Sequence, residues 1–538
     1  MNRSAAPSEL PRSLGLLDAL AIVIGIVIGG GIFIVPNLVA RELRFAPFIL
    51  AVWALAGILS FFGALACAEL GAMLPATGGQ YIFMRQAWGP LVGFLCGWSM
   101  FLVARTAQVA WLAVTLALYC SYFFPLSPLR SKLVGLAAIT LFTFINYRGV
   151  ILGAVVQKLF TSAKVLGLLI IICGAFFWHG KATDFAGGSG SAVSFSSFGV
   201  ALIACMLAYD GWIQMSFVAG EIRNPQRNIV LALALGTTAC IVIYILANLA
   251  YMRVLSISEI AVSNHIGASV AERVFGSSGG GAVALTIMVS IIGTLNGCFL
   301  TSPRLYFAQA RDGLFLRRFG EIQPRFQTPG FAIIAQGLWA AVLLLSGSYE
   351  SLLDYSMFAL WLSYGVMIAG LILLRRTRPD ELRPYKMWGY PVTALLFIAF
   401  TAWFLVNMLV KRPIPSLEGL LLIASGVPSY FISRRWQAGE ATSTLQDAQF
   451  LVVLCDEILP DGTYRDVLKL LGHKLCHTPI AVMSSSSDLD DFYREAQPLG
   501  AFDVIASPCR RTEVQWIVIR AVREPLRVQP PSVQAAAA

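Results

Sequence analysis

The chain has 538 residues, of which 57% are hydrophobic and only 13% are charged. Soluble globular proteins carry about twice that share of charged residues, so the composition excludes an ordinary soluble domain and predicts a polytopic membrane protein. The formal net charge is +10. The basic residues are spread over short loops and assemble no basic face, which argues against nucleic acid as a partner.

Apolar runs long enough to cross a bilayer recur about twelve times before roughly residue 432. They lie near 16–40, 47–73, 91–122, 133–147, 159–178, 196–216, 229–252, 281–308, 330–346, 352–374, 390–410 and 416–432. Placing the N-terminus in the cytoplasm leaves roughly twice as many basic residues inside as outside. We therefore expect a multi-pass protein of the inner (cytoplasmic) membrane with both termini in the cytoplasm.

The first predicted span contains three consecutive glycines, Gly29, Gly30 and Gly31, where a membrane helix should be most regular. Glycine tolerates conformations that interrupt a helix, and an interruption leaves amide N–H groups without intrahelical acceptors. Bare amides at membrane depth need burial within protein or a polar ligand. We expect these glycines, with the adjacent Ile32, to bind a substrate carboxylate. Close helix packing is the alternative.

The end of the second span carries Glu69, for which we favour a structural role at the membrane boundary, with Arg85 as a candidate partner. The stretches 25–33, 68–81 and 89–98 read G-I-V-I-G-G-G-I-F, A-E-L-G-A-M-L-P-A-T-G-G-Q-Y and G-P-L-V-G-F-L-C-G-W. Together they resemble the amino acid, polyamine and organocation (APC) transporter superfamily, and most of all its L-type amino acid transporter branch. The resemblance implies an all-α membrane protein with a 5+5 inverted repeat (LeuT-like) and two extra helices.

Two basic residues stand inside predicted spans, Arg105 in the third and Lys164 in the fifth. For Arg105 a structural ion pair is favoured over substrate contact. Burial of Lys164 destabilises its ammonium form, which makes loss and gain of the proton available. In proteins that this chain resembles, a lysine at the matching position stands where sodium-coupled relatives bind the ion. We interpret Lys164 as the coupling cation, by proton exchange or as a permanent charge; a snorkelling lysine is the alternative.

The sixth span contains a second candidate interruption in the run Leu207, Ala208, Tyr209, Asp210 and Gly211. This run with the following tryptophan, and then residues 221–225, are similar to the A-Y-D-G-W and E-I-x-N-P motifs of the same branch. An interruption here exposes carbonyl groups that suit a substrate ammonium group. This interruption lies in the sixth span, at a place that corresponds to the glycines of the first span. An inverted repeat of five helices predicts this correspondence. Asp210 either binds the amine or, as we prefer, caps the restarting helix.

Two later spans add candidate residues. Ser290, Gly293, Asn296 and Gly297 form a small and polar stripe on the eighth span. The stripe is predicted either to face the first span and Lys164, with Ser290 in ion coupling, or to serve helix packing alone. Trp361 on the tenth span is a candidate wall of the substrate pocket or an ordinary packing aromatic.

After about residue 433 the composition turns soluble, with a linker predicted over 433–446. Residues 447–538 resemble part of a response-regulator receiver domain, with strands within 450–462, 479–484 and 500–508 and a disordered C-terminal tail. By this resemblance Asp456 matches the phosphoacceptor and Ser484 the switch hydroxyl. The family's lysine is replaced by Ser507 and the first two strands are missing, so we expect a docking or vestigial module rather than phosphorylation.

The sequence thus predicts a transmembrane domain over 1–432 that acts as a secondary transporter of an α-amino acid by alternating access, through exchange or proton coupling. A non-transporting amino acid sensor, signalling to a cytoplasmic partner through the tail, is the alternative. Lipid and the substrate are the only other partners implied, and the oligomeric state stays open. No enzyme activity is expected, because no nucleophile, base and orienting group lie together. The ten cysteines and four histidines show no ligand spacing, so no metal or cofactor is predicted.

Overall fold

The computed structural model describes residues 10–179, 194–263, 266–276, 279–346, 349–411 and 413–433, and short C-terminal pieces at 453–456, 458–459, 462–463, 480–484, 494, 497 and 503–506. The chain separates into two compact units, Met1–Tyr430 and Phe431–Ala538. The predicted linker and the predicted disordered tail lie outside the described residues, except that 433 itself ends the last described membrane piece.

The first unit is built from helices long enough to span a bilayer. Eleven helices in the described part are long and apolar enough to cross a membrane, and a further apolar helix, Gly330–Ser346, has 17 residues. The prediction of an all-α membrane protein with about twelve spans is therefore confirmed. The helices are α1 (Leu16–Val27), α2 (Gly31–Leu43), α3 (Ala46–Met73), α4 (Gln80–Trp88), α5 (Pro90–Ser99), α6 (Arg105–Cys120), α7 (Pro128–Tyr147), α8 (Val150–Phe177), α9 (Phe195–Ala208), α10 (Pro225–Val254), α11 (Ile257–Val262), α12 (Ile266–Phe275), α13 (Gly279–Thr301), α14 (Pro303–Arg311), α15 (Gly330–Ser346), α16 (Tyr349–Thr377), α17 (Val392–Lys411) and α18 (Pro413–Ala424).

The first, third and sixth spans each depart from a regular α-helix. The first span is broken between α1 and α2, and the sixth changes after α9 into a 3-10 helix over Trp212–Glu221. In the third span a π-helical segment, Met100–Ala104, joins α5 to α6. Such segments inside α-helices occur often at functional sites, and this one ends directly before Arg105.

The first span lies at the centre of the helix bundle, since α1 packs against α8, α10 and α13. Small residues allow the close approach. A Cβ atom placed on Gly236 of α10 would lie 2.7 Å from Val23 of α1, and one on Gly297 of α13 would lie 2.5 Å from Ile26. In lipid, helices associate largely through such close packing, so these glycines hold the neighbouring spans against α1.

The fifth span begins earlier than predicted, at Val150 rather than near residue 159. Gln157 and Lys158 gave the stretch a polar start in the sequence. In the structure both stand on α8 with partners from the first span: the amide of Gln157 donates to the Ala21 carbonyl at 3.4 Å, and Lys158 pairs with Asp18 at 2.8 Å. Tertiary partners thus allow polar residues inside the helix.

The second unit contains short strands at the predicted places. β1 (Val453–Asp456), β4 (Ile480–Ser484) and β5 (Asp503–Ala506) form a parallel sheet in the order β1-β4-β5, and β2 (Ile458–Leu459) pairs with β3 (Gly462–Thr463) in an antiparallel hairpin. Asp456 is the last residue of β1 and stands opposite Met483, the neighbour of Ser484, on β4. The three predicted strands are confirmed, while the receiver-like assignment stays a prediction.

Candidate functional site

A cavity of about 130 Å³ lies where the two interrupted spans face each other. Its lining comes from α1, α2, α6, α9, α13 and α16 and from the residues between the broken halves. The lining residues are Ile26, Val27, Gly29, Gly30, Gly31, Ile34, Val35, Gln108, Trp111, Leu112, Leu207, Ala208, Asp210, Thr294 and Met357. Six residues proposed from the sequence for substrate binding are among them, namely Gly29, Gly30, Gly31, Leu207, Ala208 and Asp210.

The first span breaks at the predicted glycines. The amide of Gly29 donates to the Val27 carbonyl at 2.8 Å, so this N–H is already used within the break. α2 starts at Gly31, and the first amides of a helix have no intrahelical acceptor. The groups available to an anion are therefore the amides of Gly30 and Gly31, which line the cavity, and that of Ile32 directly after them.

Lys164 binds the carbonyl end of the same break. Its Nζ donates to the carbonyl oxygens of Gly25 and Ile28 at 2.7 and 2.8 Å, and to that of Ser290 at 2.8 Å. The side chain is buried, which excludes the snorkelling alternative in this structure. A cation at the carboxyl end of a helix satisfies carbonyls that have lost their amide partners and opposes the helix dipole.

The eighth span supplies the other ligands of the break. The Ser290 hydroxyl donates to the Ile28 carbonyl at 2.9 Å, and Thr294 Oγ1 lies 3.1 Å from the Gly25 carbonyl and 3.3 Å from Lys164 Nζ. The small and polar stripe thus faces the first span and Lys164, which is the orientation that the first of the two sequence-based alternatives requires. Thr294 stands one helical turn after Ser290, so the spacing of the stripe pointed to it.

The sixth span breaks directly against the first. Gly211 has φ +126°, a conformation that favours glycine, and a Cβ atom there would also lie 2.7 Å from Ile26. A Cβ atom on Gly31 would lie 2.9 Å from Ala208. Glycine at these two positions therefore permits the contact between the two breaks.

Tyr244 on α10 connects the end of α1 to the end of α9. Its hydroxyl lies 2.8 Å from the Val27 carbonyl, at the end of α1, and 3.1 Å from the Ala208 carbonyl, at the end of α9. The side chain is fully buried. One hydroxyl has only one proton, so it donates to one of these carbonyls at a time.

The preferred role of Asp210 as a helix cap is wrong. Gly211 occupies the cap position of the 3-10 helix, and no side chain bonds to its first turn. The Asp210 carboxylate instead accepts a hydrogen bond from the Tyr364 hydroxyl at 2.6 Å and lies 3.7 Å from the Arg105 guanidinium. Arg105 also donates to Tyr364 at 3.0 Å. The structural ion pair predicted for Arg105 is present, with Asp210 as its partner.

Four residues proposed for the substrate site do not line the cavity: Ile32, Tyr209, Gly211 and Trp361. Trp361 packs in an aromatic cluster, with its ring 5.9 Å from Phe397 and 4.7 Å from Phe404. The wall residue on the tenth span is Met357, one turn away. Trp361 was therefore misplaced, because the sequence does not tell which face of α16 meets the cavity.

Gln108, Trp111, Leu112 and Met357 are wall residues that the sequence interpretation missed. Gln108 follows Arg105 by three residues and lies on the same face of α6, so the helical period could have found it. Its Oε1 accepts hydrogen bonds from Arg105 at 3.0 Å and from Gln214 of the 3-10 helix at 3.3 Å. Gln108 thus connects the cavity wall to Arg105 on α6 and to Gln214 on the 3-10 helix.

Buried contacts join the first, sixth and eighth spans on the N-terminal side of the cavity. Leu14 forms a backbone bridge to the end of the 3-10 helix, with its amide 2.9 Å from the Glu221 carbonyl. Arg304 of α14 donates to the Glu221 carboxylate at 2.8 Å, and both side chains are fully buried. In the other direction the lining continues along α2 to Val35. These buried contacts thus connect the three spans on the side of the N-terminus.

The partner suggested for Glu69 is wrong. Glu69 is fully buried and pairs with Arg375 at 2.5 Å and Arg383 at 3.6 Å, whereas Arg85 pairs with Asp312 at 2.6 Å. The true partners are far along the chain, and a single sequence gives no signal for them. The structural role itself agrees with these contacts.

Comparison with known proteins agrees with this geometry. Residues 14–424 match the family model described as amino acid permease. The chain is 32% identical to the b(0,+)-type amino acid transporter 1 of Homo sapiens over 462 residues, which cover 84% of this chain and 94% of the relative. It is 32% identical to the serine/threonine exchanger SteT of Bacillus subtilis over 432 residues (80% and 98%) and 32% identical to the human cystine/glutamate transporter over 436 residues (80% and 86%). The chain therefore belongs to the amino acid permease family.

Proposed function

We propose that this protein moves an α-amino acid across the cytoplasmic membrane by alternating access. The observation that carries the proposal is the cavity between two helix breaks at corresponding places of the first and sixth spans. Transporters with inverted repeats bind solutes at such paired breaks, near the bilayer midplane. The matched relatives named above are transporters or exchangers of amino acids.

The two ends of a zwitterion find complementary groups in this cavity. Amides at the start of α2, beside Gly30 and Gly31, suit the carboxylate, because a helix N-terminus carries a partial positive charge. Carbonyls that end α9, at Leu207 and Ala208, suit the ammonium group. The Ala208 carbonyl accepts at most the one bond from Tyr244 and keeps a second lone pair for the substrate.

Lys164 has a structural and a coupling role in this proposal. It neutralises the carbonyl end of α1 and so keeps the first break open for the substrate. Coupling takes place either by exchange of its proton during the cycle or by a permanent charge in the place of an ion. Ser290 supports either version, since it binds the same carbonyl of Ile28.

An amino acid sensor that signals through residues 434–538 is the competing function. Uptake of radiolabelled amino acids into proteoliposomes separates the two, with the full chain compared with a chain shortened after residue 433. The transporter proposal predicts uptake by both proteins. Binding of an amino acid without any uptake by the full chain would favour the sensor.

For the tail we propose a docking module related to receiver domains. The parallel order β1-β4-β5 supports a small α/β unit, with Asp456 at the end of β1. The family match ends at residue 424, before this unit begins. Incubation with acetyl phosphate, followed by mass spectrometry, tests whether Asp456 takes up a phosphoryl group; we expect no modification, and a phosphorylated Asp456 would favour a signalling role.

A further inference from the structure

Gln108 is a wall residue whose polar atoms the proposed mechanism does not use. We propose that Gln108 donates a hydrogen bond to the substrate's side chain, and that the transporter prefers small amino acids whose side chain carries an oxygen acceptor, a hydroxyl or a carboxamide, over apolar amino acids of the same shape. This inference rests on the proposed function, since it assigns the substrate class of the same cavity.

The orientation of the Gln108 amide follows from its partners. Arg105 can only donate hydrogen bonds, so the atom of Gln108 that lies 3.0 Å from its guanidinium must be the carbonyl oxygen. The same oxygen also accepts from Gln214, at 3.3 Å. Both acceptor positions of Oε1 are therefore taken, and the NH2 group of Gln108 is left as the donor on the side of the cavity that the residue lines.

Three other wall side chains carry polar atoms, namely Thr294, Asp210 and Trp111. Thr294 Oγ1 is bound to backbone carbonyls of Gly25 and Ser290. The Asp210 carboxylate accepts from Tyr364 and lies 3.7 Å from Arg105, and it can only accept hydrogen bonds. Trp111 adds an indole N–H, and the remaining wall residues are apolar or glycine. The carboxamide donor of Gln108 in this mostly apolar wall discriminates by the presence of an acceptor.

The size of the cavity limits the substrate to a small amino acid. Its volume is about 130 Å³, whereas sites for drug-sized ligands span roughly 300–1,000 Å³. Threonine and valine have nearly the same shape and differ in one hydroxyl group. A neutral hydrogen bond contributes about 0.5–1.5 kcal/mol, which corresponds to roughly a 2- to 10-fold preference. We expect threonine to be preferred over valine by such a factor in kcat/KM.

The test compares isosteric substrates within one protein in proteoliposomes, so that the amount of folded transporter cancels in the ratio. Gln108→Met keeps the volume of the side chain and removes its polar atoms, and should bring the threonine-to-valine ratio to about one. Gln336→Met is the matched control. Gln336 is another buried glutamine, bound to the Cys298 carbonyl at 3.3 Å and absent from the cavity wall, and its replacement should leave the ratio unchanged.

Gln108→Glu covers the case in which Gln108→Met fails to fold. A carboxylate keeps the acceptor for Arg105 and Gln214 but has no N–H group. Here the pair is O-methyl-L-serine, which can only accept at its side chain, and the isosteric norvaline. Wild type should prefer O-methyl-L-serine, and Gln108→Glu should lose that preference.

Every outcome of these measurements either supports or overturns the inference. Wild type with equal kcat/KM for both members of each pair overturns the inference. So does Gln108→Met that keeps the wild-type preference for threonine, or Gln108→Glu that keeps that for O-methyl-L-serine. In these cases amino acid uptake leaves the proposed function standing. Wild type that takes up no amino acid at all overturns both.

Discussion

The two interrupted spans meet at one cavity, but different groups hold them in place. In the first span the carbonyls of the break are bound by side chains from other spans, chiefly Lys164, with no carboxylate among the contacts. In the sixth span the break carries its own acid, Asp210, which is held by Tyr364 and opposed by Arg105. Among the hydrogen bonds described for the two breaks, only those of Tyr244 involve carbonyls of both.

The difference shows how each break is stabilised and what it leaves free. A cation behind the first break satisfies carbonyls and leaves the amides of α2 for an anion. The ion pair at the second break opposes the charge of the Asp210 side chain and leaves backbone carbonyls of α9 for a cation. The first break therefore depends on one charge, whereas the second depends on a group of side chains that extends into the cavity wall through Gln108.

The largest effect is expected at Lys164. Lys164→Ala leaves three buried carbonyls without their charged donor, and a hydrogen bond to a charged group is worth about 1.5–3 kcal/mol. We expect uptake to fall by at least about 100-fold and its pH dependence to vanish, while the protein remains in the membrane. Uptake across a pH series in proteoliposomes measures both.

Lys158→Ala is the control for that experiment. Lys158 stands on the same helix, is 43% exposed and pairs with Asp18. Exposed pairs contribute about 0–1 kcal/mol, so this variant should transport nearly as wild type. Unchanged pH dependence in Lys164→Ala would exclude proton exchange by Lys164, and uptake equal to that of wild type would remove Lys164 from the coupling mechanism.

The second prediction concerns Asp210 and separates an ion pair from a helix cap. Asparagine caps helices about as well as aspartate, so Asp210→Asn would be nearly neutral if the residue were a cap. Because Arg105 is fully buried, we expect instead a loss of about 3 kcal/mol from the unpaired charge. Thermal unfolding in detergent measures the change, and Arg105→Gln in the same chain should recover part of it.

The third prediction compares two neighbouring glycines. A methyl group at Gly31 would meet Ala208 at 2.9 Å, whereas one at Gly30 would meet only Ile34, at 3.9 Å. Overpacking typically costs about 1–3 kcal/mol, so Gly31→Ala should lower the melting temperature and Gly30→Ala should not. Gly30→Ala should still raise KM, because the methyl group occupies cavity space. Equal melting temperatures for the two variants would speak against the close contact of the breaks.

The smallest effect is expected at α11, a short helix that binds α2, the second half of the first span. Asn37 and Arg41 of α2 donate to carbonyls of α11, which begins with a capping box between Ser256 and Glu259. Hydrogen bonds from Arg273 and then from Ser256 lower the pKa of Glu259 to about 2. The stability that these bonds add is thus present above the ordinary carboxyl range and is lost as the pH falls towards 2.

Glu259→Gln should therefore cost less than about 1 kcal/mol at pH 7, because the side chains of the pair are 41% and 44% exposed. The difference from wild type should shrink as the pH is lowered from 5 to 3. Melting curves of both proteins over this range measure it. A difference that grew at low pH would contradict the assignment.

What the sequence could predict follows from how local each signal is. Three adjacent glycines and an Asp-Gly pair in apolar runs mark the two breaks without any tertiary information, and the burial of Lys164 follows from its neighbours in the chain. The partners of Arg105 lie at positions 210 and 364, and those of Glu69 at 375 and 383, which no local pattern can link. The same limit explains Trp361, since its face of α16 is decided by α17 packing against it.

The decisive measurement is a structure of this protein with a transported amino acid bound. We predict that the substrate carboxylate lies within hydrogen-bond distance, about 2.7–3.2 Å, of amide nitrogens at the start of α2, and its ammonium group within the same distance of carbonyls that end α9. A substrate bound elsewhere in the helix bundle, or one whose carboxylate is held by a side chain while the amides of Gly31 and Ile32 stay without contact to it, would contradict the account.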